Sequence, residues 1–294
     1  MSLLSEQIRK SFKEGDDIRD EGLKSPENIE RFDDIIYGPD PDWQVLDVYR
    51  PINAREKTLP VIVSVHGGGW VYGDKKRYQY YTMGLAQRGF AVVNFTYRLA
   101  PEFKFPAPLE DTNLVMQWVM DHAKEYGFDT AHIFAAGDSA GAHLLGMYSC
   151  ILTNTSYASE FDFKIPDNLS LQAVALNCGV YEMVRTEQPD DMTGTLMEDF
   201  LPDKGSDKEY ELISIVNHVT EKFPPSFIMT APKDFLKDQA PIMLQKLQAL
   251  NVNCVYRFFS DPERTLGHVF HCNMKSEYAK ICNDEECSFF KEFC

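Results

Sequence analysis

The sequence predicts an α/β fold with a mainly parallel central sheet and helices on both faces. Two observations carry the prediction: apolar β-type runs alternate with helix-length amphipathic segments along most of the 294 residues, and 44% hydrophobic content is enough to bury a sizeable core. Strands separated by helices of this length are joined by crossovers, which lay helices over both sheet faces. The entry differs, because Ile35-Ile36-Tyr37 and Val45 to Tyr49 flank a Gly/Pro/Asp turn and read as an antiparallel hairpin. Further strands are expected at Leu59 to Val65, Phe90 to Thr96, Ala131 to Ala136, Leu171 to Cys178, Ser226 to Thr230 and Asn253 to Phe259. Helical patterns occupy Leu109 to Tyr126 and Ala240 to Leu250. No internal repeat or low-complexity segment interrupts this order, and one domain over residues 1–294 is the economical reading.

Chemistry concentrates at strand ends. Gly137-Asp138-Ser139-Ala140-Gly141 joins an apolar run to a helical pattern, the arrangement of a nucleophile elbow. Small flanking residues relieve crowding in such a turn and leave the central hydroxyl above the sheet, so Ser139 is the candidate nucleophile. Upstream, Leu59 to Val65 runs directly into His66-Gly67-Gly68-Gly69-Trp70. Acyl transfer builds negative charge on a carbonyl oxygen, and glycine N–H groups can meet that oxygen with no side chain in the way. Gly68, Gly69 and Ala140, the residue after the nucleophile, are the candidate oxyanion hole. Neither a G-x-x-x-x-G-K-[ST] nor a G-x-G-x-x-G pattern supports a phosphate loop instead.

With these motifs in view, the chain resembles the hormone-sensitive-lipase-like branch of the α/β-hydrolases, which includes carboxylesterases and acetyl esterases. The resemblance rests on His66 to Trp70 with Gly73-Asp74, on Tyr97-Arg98-Leu99-Ala100-Pro101-Glu102, on Phe105-Pro106-Ala107-Pro108 with Asp111, and on the Gly137 to Gly141 elbow. It runs from about Tyr37 to the C-terminus. It implies an α/β-hydrolase fold, serine-hydrolase chemistry and no cofactor or metal. It also implies an acid and a histidine following the serine in that order, each beyond a strand.

Asp234, four residues past the strand ending at Thr230, is the preferred acid. Its rival Asp238 falls where the next helix begins and reads as an N-terminal charge favoured by the helix dipole. The family has a glycine three residues before this Asp and a proline after it, where this chain has Ala231 and Phe235. His268-Val269-Phe270 fits the family's H-x-F sequence, which makes His268 the preferred base over His271. His66, His122, His132, His143, His218 and His271 read as structural, with His66 bracing the glycine loop.

A net charge of −16 argues against nucleic acid or an anionic membrane surface as partner. Met1 to Lys10 contains no apolar signal core, and no run is long enough to span a bilayer, so a cytoplasmic location is expected. Seven cysteines without C-x-x-C pairs suggest neither a disulfide framework nor zinc, although Cys272, Cys282, Cys287 and Cys294 gather near the end with His268 and His271.

Residues 179–225 depart from the strand–helix rhythm and read as a cap insertion, with Tyr210 to Val219 helical within it. Trp70, Tyr181, Met183, Leu196 and Met197 are candidate pocket-lining residues, with Met192 and Phe200 behind them. Residues 1–30 form an N-terminal helical segment in which Ser5 to Ile29 is a second candidate to fold over the site, but it is short for a full cap, which predicts a relatively open pocket and small acyl groups. The function read from these residues is hydrolysis of short-chain, acetyl-type esters of alcohols or sugars through an acyl-enzyme. An amidase of the kynurenine-formamidase type and a non-catalytic binding protein on the same scaffold are the alternatives. The partner expected is a small-molecule ester, with homodimerisation left open.

Overall fold

Val61, Ile62 and Val63 are all fully buried, as expected of a strand covered on both faces. Alternate residues feed two cores: Val61 and Val63 pack with helical Met116, Leu145 and Met243, whereas Ile62 packs with Tyr81, Met83 and Phe290. The computed structural model describes residues 1–185 and 192–294; residues 186–191 of the expected cap insertion lie outside that range. Its sheet comprises β1 (Ile29–Ile36), β2 (Val45–Pro51), β3 (Leu59–Val65), β4 (Ala91–Phe95), β5 (Phe128–Asp138), β6 (Leu171–Asn177), β7 (Ser226–Thr230) and β8 (Cys254–Phe258). The strand order is β1-β2-β4-β3-β5-β6-β7-β8. β1 pairs with β2, and β2 with β4, antiparallel; all other neighbours are parallel. This is the α/β-hydrolase architecture.

The helices are α1 (Leu3–Asp20), α2 (Lys75–Ala86), α3 (Ala107–Asp121), α4 (Ala123–Tyr126), α5 (Ala140–Thr153), α6 (Thr155–Ala158), α7 (Met192–Phe200), α8 (Asp207–Ile213), α9 (Gln239–Ala249) and α10 (Glu277–Lys291). Two expected helices are shorter than their patterns. The one over Leu109 to Tyr126 breaks at His122, whose ring stacks on Trp118 at 4.5 Å while its Nδ1 lies 2.9 Å from the Trp118 carbonyl. The one over Tyr210 to Val219 becomes α8, opened by a Ser206/Glu209 capping box, and ends where Ser214 turns extended before a short 3₁₀ turn.

Parallel strands deliver their C-terminal ends to one edge, and the candidate site residues follow four of those ends. β3 lies beside β5 with Val65 opposite Gly137, so the glycine loop and the elbow leave neighbouring strands side by side. Gly141 makes this approach feasible, since a Cβ there would strike the carbonyl groups of Val65 and His66.

Two glycine substitutions therefore have opposite effects. Gly141→Ala should lower the unfolding free energy by about 3 kcal/mol through backbone overlap. Gly15→Ala, on α1 with nothing within 4 Å of the added methyl, should raise it by roughly 0.5–1 kcal/mol. Urea midpoints at unchanged m-value report both.

Candidate active site

Ser139 opens α5 with φ 52° and ψ −121°, a backbone conformation that L-residues rarely adopt and that costs on the order of 1–3 kcal/mol. Two hydrogen bonds hold it: the Ser139 N–H donates to the Asn177 carbonyl at 2.9 Å, and the His143 N–H donates to the Ser139 carbonyl at 3.1 Å. Asn177 is fixed in turn by its side-chain amide, which donates to Glu286 at 2.7 Å, while the Tyr81 hydroxyl donates to the other Glu286 oxygen at 3.2 Å. Sequence reasoning did not single out Glu286, because a lone acid on a C-terminal helix carries no signal of total burial.

The glycine loop turns at Gly68, whose carbonyl accepts from the N–H groups of Val71 and Tyr72. Gly68, Gly69 and Trp70 all have positive φ. Among the described residues, no acceptor takes the N–H groups of Gly68 or Gly69. Ala140 is the first residue of α5, where helical N–H groups lack intrahelical partners. The loop is tied to the elbow by a short chain. The Gly67 N–H donates to the Tyr78 hydroxyl at 2.9 Å, and that hydroxyl donates to Asp138 at 2.7 Å. His66 lies beneath, stacked on Tyr97 at 4.0 Å, with Nδ1 2.8 Å from the Gly67 carbonyl. Burial pushes His66 down to about 4, so it stays neutral.

Beyond β7 and β8, the two remaining candidates meet. His268 Nδ1 lies 2.7 Å from Asp234 Oδ1. Lys233 and Gly267 form a parallel bridge, reinforced by the Lys233 N–H donating to the Leu266 carbonyl, and this aligns the acid loop with the histidine loop. Asp234 also accepts from the Thr230 hydroxyl at 2.7 Å and from the Leu236 N–H at 2.9 Å. Burial works to raise this carboxyl, but the bonds from His268, Thr230 and Leu236 prevail and hold it below the usual carboxylate range. With Nδ1 engaged by Asp234, Nε2 is the His268 nitrogen left to exchange a proton. Asp238, by contrast, sits at the start of α9 with its side chain 90% exposed.

Ser139, Ala140, Gly69, Trp70 and Leu196 share one cavity of about 70 Å³, completed by Ile8, Phe12, Val180, Met192, Thr193, Phe235 and Leu236. Tyr181, Met183 and Met197 are not among its walls. The Tyr181 hydroxyl donates to the Leu176 carbonyl at 3.0 Å, the Met183 N–H donates to Ser214, and Met197 is wholly buried in the core. The expected open pocket also needs correcting. α1 crosses the site and supplies Ile8 and Phe12, so the described walls enclose a small space. Phe235, the departure from the family loop, packs tilted against the His268 ring with centroids 4.2 Å apart and forms another wall.

His132 pairs with Asp129, His218 stacks on Tyr157, and His143 Nε2 lies 2.8 Å from the Ile213 carbonyl. His271 is fully buried beside Cys272. The C-terminal cysteines do not converge with one another on a metal site. Among the described residues, the clusters with ligand-type atoms close together are Asp138/His271/Cys272 and Cys178/Asp234/His268.

This geometry belongs with what the chain matches. The BD-FAE family model covers residues 46–246. The chain belongs to the BD-FAE family. It is an esterase of the α/β-hydrolase fold. It is 31% identical over 227 residues to an esterase of Gibberella moniliformis, covering 74% of this chain and 69% of that one. It is 30% identical over 206 residues to the esterase LipQ of Mycobacterium tuberculosis, covering 68% of this chain but 48% of that one, so the match spans about half of the mycobacterial protein. The crystal structure of an inhibited esterase B from Lactobacillus rhamnosis superposes with a TM-score of 0.86 at 25% identity, over 99% of this esterase and 97% of that chain. No helix among the esterase's described residues is long and apolar enough to cross a membrane.

Burial behind the elbow sets a pH dependence. Glu286 is pushed from 4.5 up to about 7, and Asp138 from 3.8 up to about 6, in each case chiefly by burial. The unfolded chain releases these protons first and binds fewer of them, so stability falls as pH rises from about 4.5 towards 7. Glu286→Gln, which keeps a neutral hydrogen-bonding group, should flatten that slope in urea titrations run at pH values across this window.

Proposed function

We propose that the esterase is a serine carboxylesterase for small acyl groups, acting through an acyl-enzyme on Ser139. The observation that carries this reading is that Ser139 shares a cavity of about 70 Å³ with Gly69 and Ala140. Pockets for drug-sized ligands run from about 300 Å³ upward, so the space suits a short acyl chain and not a long one. Depressions of about 760 and 620 Å³ elsewhere on the surface do not include Ser139.

A serine hydroxyl is a weak nucleophile near neutral pH, so the proton must leave as Oγ attacks. Neutral His268 accepts it at Nε2, and Asp234 at Nδ1 fixes the tautomer and stabilises the imidazolium. Negative charge on the former carbonyl oxygen is met by the N–H groups of Gly68, Gly69 and Ala140. His268 returns the proton to the departing alkoxide, which leaves as the alcohol or sugar. A water then gives its proton to the same nitrogen and attacks the acyl carbon, releasing the acid and restoring Ser139. The structure of the Lactobacillus rhamnosis esterase B with a C4-C4 tributyrin phosphonate, a structural relative carrying a short-acyl inhibitor, supports this reading.

Hydrolysis of p-nitrophenyl acetate, butyrate and octanoate tests the reading, with sugar acetates and N-formylkynurenine in parallel. Activity should be highest on acetate and fall with chain length. Ser139→Ala and Asp234→Asn should each lose about 10⁴-fold or more in kcat. A folded wild type inactive on every ester, or a fully active Ser139→Ala, would refute it.

A further inference from the structure

α1 supplies two walls of the Ser139 cavity, yet very little apolar burial holds it there. Of its 18 residues only Ser5 and Ile8 are buried, and Leu3 and Ile18 are 78% and 72% exposed. Polar contacts anchor it instead, and they fall into two groups. The C-terminal half is fixed where the Tyr72 hydroxyl donates to Asp16 at 2.9 Å and where Arg19, oriented by Asp16 and Asp20 of the same helix, donates to the Arg77 carbonyl on α2. The N-terminal half, which carries Ile8 over the cavity, is held by Arg9 and Asp199.

Arg9 spreads its guanidinium over three acceptors. Nε donates to the Val71 carbonyl at 2.7 Å, Nη2 to the Ala100 carbonyl at 2.8 Å, and both Nη atoms to the Glu102 carboxylate at 2.8 and 2.6 Å. Val71 follows the candidate oxyanion glycines, and the Ala100 N–H donates to the Trp70 carbonyl, so this contact references α1 to the glycine loop itself. On the other side, one oxygen of Asp199 on α7 accepts from the Ser2 N–H at 2.9 Å, the Ser2 hydroxyl at 2.7 Å and the Ser5 hydroxyl at 2.6 Å. α7 also carries Leu196, the facing wall.

We propose that Arg9 and Asp199 are positioning residues that set the acyl-length limit by latching α1 against the glycine loop and α7, which keeps Ile8 and Phe12 over Ser139. The proposal rests on the serine carboxylesterase reading. Releasing either latch lets the N-terminal half of α1 swing on its fixed C-terminal half and opens the cavity along the acyl chain. The reacting atoms are untouched, so acetate turnover should persist. Lysine cannot replace Arg9, because one ammonium cannot reach two carbonyls and a carboxylate with fork geometry.

The test is the chain-length profile of p-nitrophenyl acetate, butyrate and octanoate for wild type, Arg9→Ala, Arg9→Lys, Asp199→Ala and Ile8→Ala, with urea midpoints as the folding check. Lys13→Ala, which removes a surface pair on the same helix, serves as the control. Arg9→Ala and Asp199→Ala should each raise the octanoate-to-acetate ratio of kcat/KM by about tenfold, mainly through a lower octanoate KM. Acetate kcat should stay within about threefold. Arg9→Lys should behave like Arg9→Ala, and Lys13→Ala like wild type. Ile8→Ala removes the wall without touching a latch and should shift the ratio the same way, even if a latch variant fails to fold. An unchanged ratio in folded latch variants, a parallel loss on all three esters, or an unchanged ratio in Ile8→Ala would overturn the proposal. A wild type that hydrolyses none of the esters, or an active Ser139→Ala, would instead overturn the catalytic reading beneath it.

Discussion

The parallel pairing of β3 with β5, in the register that sets Val65 opposite Gly137, is the constraint on which the site depends. Because both strands run the same way, their ends release the glycine loop and the elbow on the same edge of the sheet. The residues that follow are then adjacent without any long connection. Gly141 permits the closeness, since any side chain there would collide with the carbonyl groups of Val65 and His66. Slipping the register by one residue would exchange the two faces of β5 and turn its buried residues into the wrong core.

A strained serine persists only where its surroundings over-determine it. Here the restraint is polar and lies behind the elbow: Tyr78 bridges the Gly67 N–H to Asp138, and Glu286 holds the Asn177 side chain whose backbone carbonyl receives the Ser139 N–H. Both carboxyls are buried and carry raised proton affinity, so rigidity at the elbow is obtained at some cost in stability at higher pH. Asp234 is the contrasting case, with three donors outweighing burial to keep it charged beside His268.

The strands and the motif-bearing residues were legible because each rests on local pattern. Continuous apolar runs mark buried strands, glycines mark close approach, and Ser139, Asp234 and His268 each follow a strand end. What escaped was whatever depends on distant segments meeting. Ile8 and Phe12 sit one helical turn apart on α1, a spacing that signals an apolar face but not which cavity it covers. Tyr181 and Met197 looked like pocket residues by proximity in sequence, yet each is drawn inward, one by a hydrogen bond to Leu176 and the other by complete burial. Glu286 illustrates the same limit, since nothing in its neighbourhood announces that Asn177 and Tyr81 await it across the sheet.

Ester hydrolysis at this site depends, before anything else, on Ser139 being the activated hydroxyl. Incubation with diethyl p-nitrophenyl phosphate, followed by peptide mass mapping, tests this directly: attack by Oγ on phosphorus expels p-nitrophenolate and leaves one diethylphosphoryl group on the peptide carrying Ser139. A single adduct is expected at that residue, in step with loss of ester hydrolysis and absent from His268→Ala. An active enzyme that gains no adduct, or gains it at another residue as activity falls, would contradict it.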